Sequence, residues 1–289
     1  IEVENLALAG DFGSEYVGRK KETELLRSKI SSRTAPSWLC LAGPSGIGKT
    51  RIAIEAVRNV EKVHGSKVQL RWFIVAKDRS GTLRGLAELA KKVERANIHM
   101  DDEVAAKEAK QWLKQTHGWI LLLDDVRDLE QIEDLLPQAP RGCIVTTSLD
   151  KNNAPEKSEV IHLRRLNKNE STQILQKLTG CTDSRVQNLA SVMSGFPLAL
   201  IQAGALVVRD TSRKPFEQLT RQLSTTWLKF SRLVRVRHNH RVLRVLWQEQ
   251  MALLQNSSSL KLVKYMSLLS YRGVNRGLVE RLISKNELN

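Results

Sequence analysis

One short motif constrains the fold of this chain more than any other feature of its sequence. The motif is Gly43-Pro44-Ser45-Gly46-Ile47-Gly48-Lys49-Thr50, which matches the pattern G-x-x-x-x-G-K-[ST] throughout. An apolar run precedes it at 38–42, and apolar residues at helical spacing follow it over 50–63. A strand, a glycine-rich loop and a helix in this order predict backbone N–H groups that converge on phosphates at a helix N-terminus. The alternative, a glycine-rich turn that happens to carry a lysine, does not account for both flanking elements.

The side chains of this motif indicate a nucleotide with a divalent cation. Lys49 is expected to reach the β- and γ-phosphates, and the Thr50 hydroxyl is expected to ligate Mg²⁺. The predicted cofactors are therefore ATP or ADP and Mg²⁺. The other residues of this segment predicted to bind the nucleotide are Gly43, Gly46, Ile47, Gly48 and Arg51.

A pair of carboxylates follows another apolar run. Asp124 and Asp125 come directly after residues 119–123, which predict a buried strand. Ligands of α/β proteins bind at the carboxyl ends of such strands. Asp124 is expected to hold the Mg²⁺ shell, and Asp125 to orient or deprotonate a water aimed at the γ-phosphate. Capping of the next helix is the alternative role, and it suits Asp128 better than this pair.

The order of predicted elements indicates an α/β nucleotide-binding domain followed by helices. Strands that alternate with helices predict a parallel sheet covered by helices on both sides. After about residue 165 the pattern is helical only, which predicts domains at 1–165, 166–238 and 239–289. The predicted strands are 38–42, 70–76, 119–123, 143–147 and 160–163. The predicted helices are 20–30, 50–63, 82–93, 102–115, 129–136, 168–178, 184–194 and 197–208.

Composition and charge indicate where the protein is located and what its basic segment could bind. Three scattered cysteines are too few for a disulfide framework, and no apolar run is long enough to span a membrane, so a cytoplasmic location is expected. The net charge is +15, with ten Lys or Arg and two acids between Arg209 and Arg244. Such a segment could bind nucleic acid, anionic lipid or an acidic domain. Few aromatic residues interleave it, which favours a solvated or domain-covered face instead.

Four motifs in series go beyond a generic phosphate-binding loop. They resemble the NB-ARC domains of the STAND class of P-loop NTPases, which occur in plant disease-resistance proteins, the apoptotic protease-activating factor and related receptors. The resemblance extends over about 14–210, and the weaker similarity of 239–289 implies the start of a winged-helix-like domain. The motifs are Tyr16-Val17-Gly18-Arg19, Leu121-Leu122-Leu123-Asp124-Asp125-Val126 with Leu135-Leu136-Pro137, Gly142-Cys143-Ile144-Val145-Thr146-Thr147-Ser148, and Gly195-Phe196-Pro197-Leu198-Ala199-Leu200.

The resemblance implies a second group of nucleotide contacts. Val17 and Arg19 would border the adenine and ribose, and Pro197 would pack on the adenine from the helical domain. Residues 195–197 could also simply end one helix and start the next. Ser148 stands where the family often has an arginine that senses the γ-phosphate, and Arg127 stands where it often has tryptophan. The family's later histidine motif is not recognisable in this sequence.

The resemblance implies a nucleotide-dependent signalling switch. Its ADP form would rest, its ATP form would self-associate, and hydrolysis would be slow, within a larger receptor for defence or cell-death signalling. An AAA⁺-type ATPase acting on nucleic acid is the main alternative, but such motors generally carry Asp-Glu where this chain has Asp124-Asp125. A STAND-class transcription regulator is a third possibility. Expected partners are nucleotide, further copies and other domains of a longer protein, with nucleic acid not favoured.

Overall fold

A computed structural model describes residues 3–6, 18–32, 38–137, 141–156, 158–209 and 216–221 of the chain. Three sequence predictions fall on other residues. Val17, the winged-helix-like region 239–289 and most of the basic segment 209–244 lie outside the described ranges. Within the described ranges, no helix is long and apolar enough to cross a bilayer.

The described nucleotide-binding region is built on a parallel sheet of six strands. The sheet order is β1-β5-β6-β7-β2-β8, and every neighbouring pair is parallel. The predicted α/β fold with a parallel sheet covered by helices is confirmed. The strands, with the separate hairpin β3–β4, are β1 (Val3–Glu4), β2 (Trp38–Ala42), β3 (Lys62–Val63), β4 (Ser66–Lys67), β5 (Leu70–Val75), β6 (Trp119–Val126), β7 (Cys143–Ser148) and β8 (Glu159–His162).

Helices connect these strands, and only helices follow β8 in the described part of the chain. The helices are α1 (Lys20–Ser31), α2 (Lys49–Arg58), α3 (Arg79–Lys92), α4 (Asp102–Gln115), α5 (Lys168–Thr179), α6 (Ser184–Val192) and α7 (Pro197–Arg209). Helices α3 and α4 pack on each other and share a buried apolar core with β5 and β6. Strands β2, β6 and β7 are buried along nearly their whole length, as strands covered on both faces must be.

The register of three central strands determines where the site lies. Ala42 at the end of β2 pairs with Ser148 at the end of β7. Leu123 near the end of β6 pairs with Thr146 of β7. The glycine-rich loop after β2 and the acidic pair of β6 therefore emerge on either side of the end of β7.

The sequence pattern did not predict two β elements, the hairpin β3–β4 and strand β1. The predicted helix 50–63 ends at Arg58, and β3 and β4 form a hairpin after it. Its turn residues His64 and Gly65 have φ angles of 48° and 81°, the positive values that a tight two-residue hairpin turn needs. Strand β1 is too short to show alternation, and it is fixed by Asn5. The Asn5 side chain bonds both the N–H and the C=O of Phe73, at 2.5 and 3.0 Å.

The helix predicted over 129–136 is only partly formed. Only Glu133–Leu135 forms a 3₁₀ turn. The Asp128 carboxylate accepts the Glu130 N–H at 3.1 Å, and of the backbone bonds that follow only that from Glu133 to Leu129 spans four residues, while the others span three. Because Pro137 ends the segment, too few residues remain to offset the cost of nucleating an α-helix.

The contacts divide the chain into two compact units. Of the described residues, those up to 174 and 195–198 form one unit, and 175–194, 199–209 and 216–221 form the other. The four residues 195–198 therefore belong to the nucleotide-binding unit, although they begin in the predicted helical domain. The domain boundary predicted at 165 stays a prediction.

Candidate nucleotide-binding site

The glycine-rich loop has the backbone shape of a phosphate cradle. Gly46 and Gly48 have φ angles of 76° and 99°, and Gly48 is the N-cap of α2. Residues with a Cβ rarely adopt such φ values, which is why glycine is needed at both positions. A Cβ on Gly46 would also lie 3.1 Å from the Cβ of Leu198. Ile47, buried at 1% exposure, anchors the loop to the core between the two glycines.

Lys49 is folded onto this loop. Its Nζ donates hydrogen bonds to the carbonyls of Gly43 at 2.9 Å and Pro44 at 3.2 Å. Burial lowers the pKa of Lys49, and the Asp124 and Asp125 carboxylates partly offset this change. The ammonium group therefore lies within electrostatic reach of both carboxylates that the sequence predicts for the site.

Asp124 is held by two threonine hydroxyls. Thr50 Oγ1 and Thr147 Oγ1 each donate to Asp124 Oδ1 at 2.6 Å. Thr147 is 1% exposed, and its Oγ1 also accepts the Asp125 N–H at 3.0 Å. Thr147 lies in one of the four sequence motifs, but the motif alone predicts no role for it. Its position at the end of a strand that pairs with the acidic strand was the available clue.

A β-bulge separates the two carboxylates. Leu123 pairs with Thr146 and Val126 with Ser148, so Asp124 and Asp125 together oppose Thr147 alone. Asp125 takes a φ of 58°, which is uncommon for a residue other than glycine. Its Oδ2 accepts from Arg127 Nε at 3.2 Å and from a terminal nitrogen of the same guanidinium at 3.0 Å. The bulge thus directs consecutive carboxylates to different partners.

Ser148 contacts the loop through its backbone. Its carbonyl accepts the Gly43 N–H at 3.2 Å. Its hydroxyl is fully buried, donates to the Val126 carbonyl at 2.8 Å and lies 3.1 Å from Asn153 Nδ2. The nucleotide contact predicted for Ser148 stays a prediction, and the backbone is the part of Ser148 that touches the loop.

Arg19, which is predicted to border the adenine and ribose, is buried. It is 5% exposed and precedes α1 with a φ of 59°. One terminal nitrogen donates to Glu22 Oε1 at 2.7 Å, and the other donates to the Arg164 carbonyl. Its buried Nε has no hydrogen-bond partner in the structure. A buried donor of this kind is costly unless a ligand or water accepts its hydrogen bond. The predicted nucleotide contact of Arg19 would supply such an acceptor.

The segment Gly195–Leu198 contacts the glycine-rich loop directly. The Leu198 N–H donates to the Gly46 carbonyl at 3.2 Å. The Gly195 carbonyl accepts the Leu166 N–H at 2.9 Å, and the Arg165 guanidinium lies 4.7 Å from the centre of the Phe196 ring. Pro197 is the first residue of α7, so the predicted restart of a helix is present. Pro197 is therefore adjacent in sequence to Leu198, the residue that bonds the phosphate cradle.

Comparison with known proteins decides the family. The profile of the NB-ARC domain matches residues 19–184, more than half of the chain. The chain belongs to the NB-ARC family. The predicted resemblance to the NB-ARC domains of STAND-class P-loop NTPases is therefore confirmed, and membership implies nucleotide binding.

Two curated relatives and one solved structure are similar to this NB-ARC chain. A nucleotide-binding leucine-rich repeat (NLR)-like protein of Hyaloscypha variabilis is 25% identical over 225 residues, which are 67% of the chain and 22% of the relative. Apoptotic protease-activating factor 1 of Homo sapiens is 30% identical over 122 residues, 39% of the chain and 10% of the relative. The chain thus spans less than a quarter of either relative. The Walker-type ATPase of Pyrococcus abyssi has a TM-score of 0.51 at 11% identity, covers 75% of this chain and 74% of its own, and shows the fold alone.

The NB-ARC site has the oxygen donors that a magnesium–nucleotide site needs. No group of three or more His, Cys, Asp or Glu that could hold a metal occurs in the part of the chain that the structure describes. Mg²⁺ at nucleotide sites takes one or two protein oxygens and completes its shell with phosphate and water. Thr50 and Asp124, whose oxygens are 2.6 Å apart beside Lys49, fit that requirement. Arg51 lies in the first turn of α2, next to them.

Proposed function

We propose that this NB-ARC protein is a nucleotide-dependent signalling switch that binds ATP or ADP with Mg²⁺ and hydrolyses ATP slowly. The observation that carries the proposal is the hydrogen bond from Leu198 to Gly46. It joins the phosphate cradle to the first turn of α7, so a ligand in the cradle would lie against the segment that contains Pro197.

Phosphate binding would begin with the release of Lys49 from the loop. Its present acceptors are two neutral carbonyls, of Gly43 and Pro44. Phosphate oxygens are charged and form stronger hydrogen bonds with an ammonium group. The N–H groups at the start of α2 would add donors and a partial positive charge on the same phosphates. The exchange of partners thus favours the bound state.

Thr50 and Asp124 would hold the magnesium ion. When bound, Mg²⁺ would neutralise charge that develops between the β- and γ-phosphates. Thr147 fixes the Asp124 carboxylate through the bond to Oδ1, which limits its freedom before ligand arrives. Asp125 would orient a water toward the γ-phosphate, as the sequence predicts.

The base would lie between Arg19 and Pro197. The unpartnered Nε of Arg19 supports this placement, because a ligand acceptor would satisfy it. Val17 is the third residue predicted for this end of the site. Helix α7 begins in the nucleotide-binding unit and continues in the second unit. A nucleotide that contacts Pro197 would therefore act on a helix that both units share, which is how phosphate state could change the protein's conformation.

Self-association in the ATP form, a cytoplasmic location and a role in defence or cell-death signalling complete the proposal. They are supported by NB-ARC membership and by the two curated relatives, an NLR-like protein and an apoptotic protease-activating factor. Slow hydrolysis is supported by Ser148, a neutral residue where a charged sensor is usual in the family. It is also supported by the sequence, which shows no evident arginine finger, a residue that contributes about 10³–10⁵ in rate in other NTPases.

The nucleotide released when the purified protein is denatured tests this function. We expect ADP at close to one equivalent, with ATP turnover well below the range of about 1–100 s⁻¹ that is typical of kinases. Absence of nucleotide, together with no calorimetric binding of ADP or ATP with Mg²⁺, would refute the proposal. Nanomolar, sequence-selective DNA binding at physiological salt would instead support the AAA⁺-type alternative.

A further inference from the structure

Arg127 forms an ion pair with Asp125. The proposed function gives Arg127 no role. Both guanidinium bonds, at 3.2 and 3.0 Å, end on the same oxygen of Asp125. The Asp125 side chain is 38% exposed and that of Arg127 53%. Solvent can therefore reach the carboxylate, but one of its two oxygens is occupied by a cation.

The backbone supports this arrangement. Asp125 lies in the bulge with a φ of 58°, and its N–H is tied to Thr147 Oγ1. The position of Asp125 is thus set by β7, while its side-chain direction is set by Arg127, two residues along the chain. The same Thr147 hydroxyl donates to Asp124, which also accepts from Thr50 at the start of α2, so Asp125 lies beside the phosphate cradle. A residue that controls this carboxylate therefore controls a group close to the phosphates.

We propose that Arg127 restrains the Asp125 carboxylate and thereby keeps ATP hydrolysis slow. This inference rests on the proposed function, because it concerns a residue at the same site. In hydrolysis the water oxygen attacks the γ-phosphorus, the bond from that phosphorus to the ADP oxygen breaks, and the water proton passes to Asp125 and then to solvent. Because two guanidinium bonds hold Oδ2, the carboxylate is fixed in direction and cannot turn that oxygen toward the attacking water.

The same pair also affects which nucleotide binds. A carboxylate that is paired with a guanidinium repels the γ-phosphate of ATP less than an unpaired carboxylate does. Arg127 should therefore favour ATP binding while it restrains hydrolysis. Both effects prolong the ATP-bound state, which is the state in which the switch would be active.

A second Asp-x-Arg pair in the chain provides a matched control. Arg185 donates to Asp183 Oδ2 from Nε at 3.0 Å and from a terminal nitrogen at 2.6 Å. The spacing and the use of a single carboxylate oxygen are the same as at Arg127, and the exposures of 42% and 44% are similar. R185Q removes the same charge from a similar pair at the start of α6, and because Arg185 also lies 5.5 Å from the centre of the Phe216 ring, the melting temperature of this variant is measured as well.

The test measures ATP turnover and the affinities for ATP and ADP in R127Q, R127K, D125N, D125N/R127Q and R185Q. We expect R127Q to raise the turnover number about tenfold, part of the factor that general base catalysis contributes. R127K, which keeps the charge, should stay near the wild-type rate, and the double variant should show no rise. By calorimetry the ratio of ATP to ADP affinity should fall about threefold in R127Q, the size expected for an exposed charge pair, and not in the double variant.

The outcomes separate this inference from the proposed function. Unchanged or reduced turnover in R127Q, with wild-type ADP affinity and melting temperature, would overturn the restraint and leave the switch intact. An equal rise in R185Q would also overturn it, because the effect would then be general loss of charge. Failure of the wild-type protein to bind ADP or ATP would refute the function, and the restraint with it. Since Arg127 is half exposed, its variants should fold, and R127M provides a second neutral variant.

Discussion

The two ends of the candidate site are built from different parts of the polypeptide. At the phosphate end, side-chain hydroxyls of Thr50 and Thr147 hold the Asp124 carboxylate beside a loop whose glycines have positive φ angles. At the proposed base end, the bonds from Leu166 to Gly195 and from Leu198 to Gly46 join backbone atoms. The phosphate end thus depends on functional groups, which substitution can remove, as well as on the backbone of its glycine-rich loop. The base end depends on backbone shapes that an added Cβ can destroy.

The largest effect is expected at the base end, from Gly195→Ala. Gly195 has a φ of 72°, and a Cβ there would lie 2.3 Å from the Leu166 carbonyl oxygen. Gly180 has a similar φ of 70° but open space around its Cβ. Both substitutions incur left-handed strain of about 1–2 kcal/mol, and the clash at Gly195 should bring its total to about 3–4 kcal/mol. Denaturant unfolding measures both, and equal losses would show that the close approach to Leu166 does not constrain the segment.

At the phosphate end, Lys49→Ala should weaken ADP and ATP binding. Loss of each charge-assisted bond to phosphate costs about 1.5–3 kcal/mol, or roughly 10- to 150-fold in affinity. Lys62→Ala, on the exposed hairpin strand β3, removes the same charge away from the loop and should bind normally. Titration calorimetry compares the two variants. Equal affinity in Lys49→Ala and the wild type would remove the basis for the phosphate cradle.

The difference between the ends explains what could be predicted from sequence. The phosphate cradle and Asp124 were predicted because their chemistry requires particular residue types at fixed spacing. The base-end residues Arg19 and Pro197 were named only through the family resemblance, since backbone bonds such as that from Leu198 to Gly46 leave no pattern of residue types. Thr147 was given no role because its function depends on the pairing of β7 with β6, which arises only in the folded sheet.

A smaller effect should separate two adjacent threonines of β7. Thr147→Val removes a buried hydroxyl that donates to Asp124 and accepts from Asp125, which should cost about 1–3 kcal/mol of stability and weaken Mg²⁺-dependent nucleotide binding. Thr146→Val removes a buried hydroxyl whose bond to the Leu39 carbonyl is long, at 3.4 Å. It should cost less and leave nucleotide affinity unchanged. If both variants bind ADP with Mg²⁺ equally well, Thr147 does not position Asp124.

The smallest effect is expected for Arg165→Ala at the base end. The guanidinium lies 4.7 Å from the centre of the Phe196 ring, and a partly exposed cation–π contact contributes about 0.5–1 kcal/mol. Arg164→Ala removes a neighbouring charge, while the Arg164 carbonyl that binds Arg19 remains. Thermal unfolding should show a loss for Arg165→Ala only. A loss of the same size in Arg164→Ala would attribute the effect to charge rather than to Phe196.

Hydrogen exchange with and without ADP and Mg²⁺ tests most directly whether one nucleotide holds both ends. A hundredfold excess of ligand over Kd stabilises the bound state by about 2.7 kcal/mol, enough to slow exchange roughly a hundredfold. We predict that protection rises in α2 and also across 185–208, with the Leu198 amide that bonds Gly46 among the most affected. Protection of α2 with unchanged exchange across 185–208 would contradict the account. The phosphate cradle would then bind nucleotide without the segment that contains Pro197.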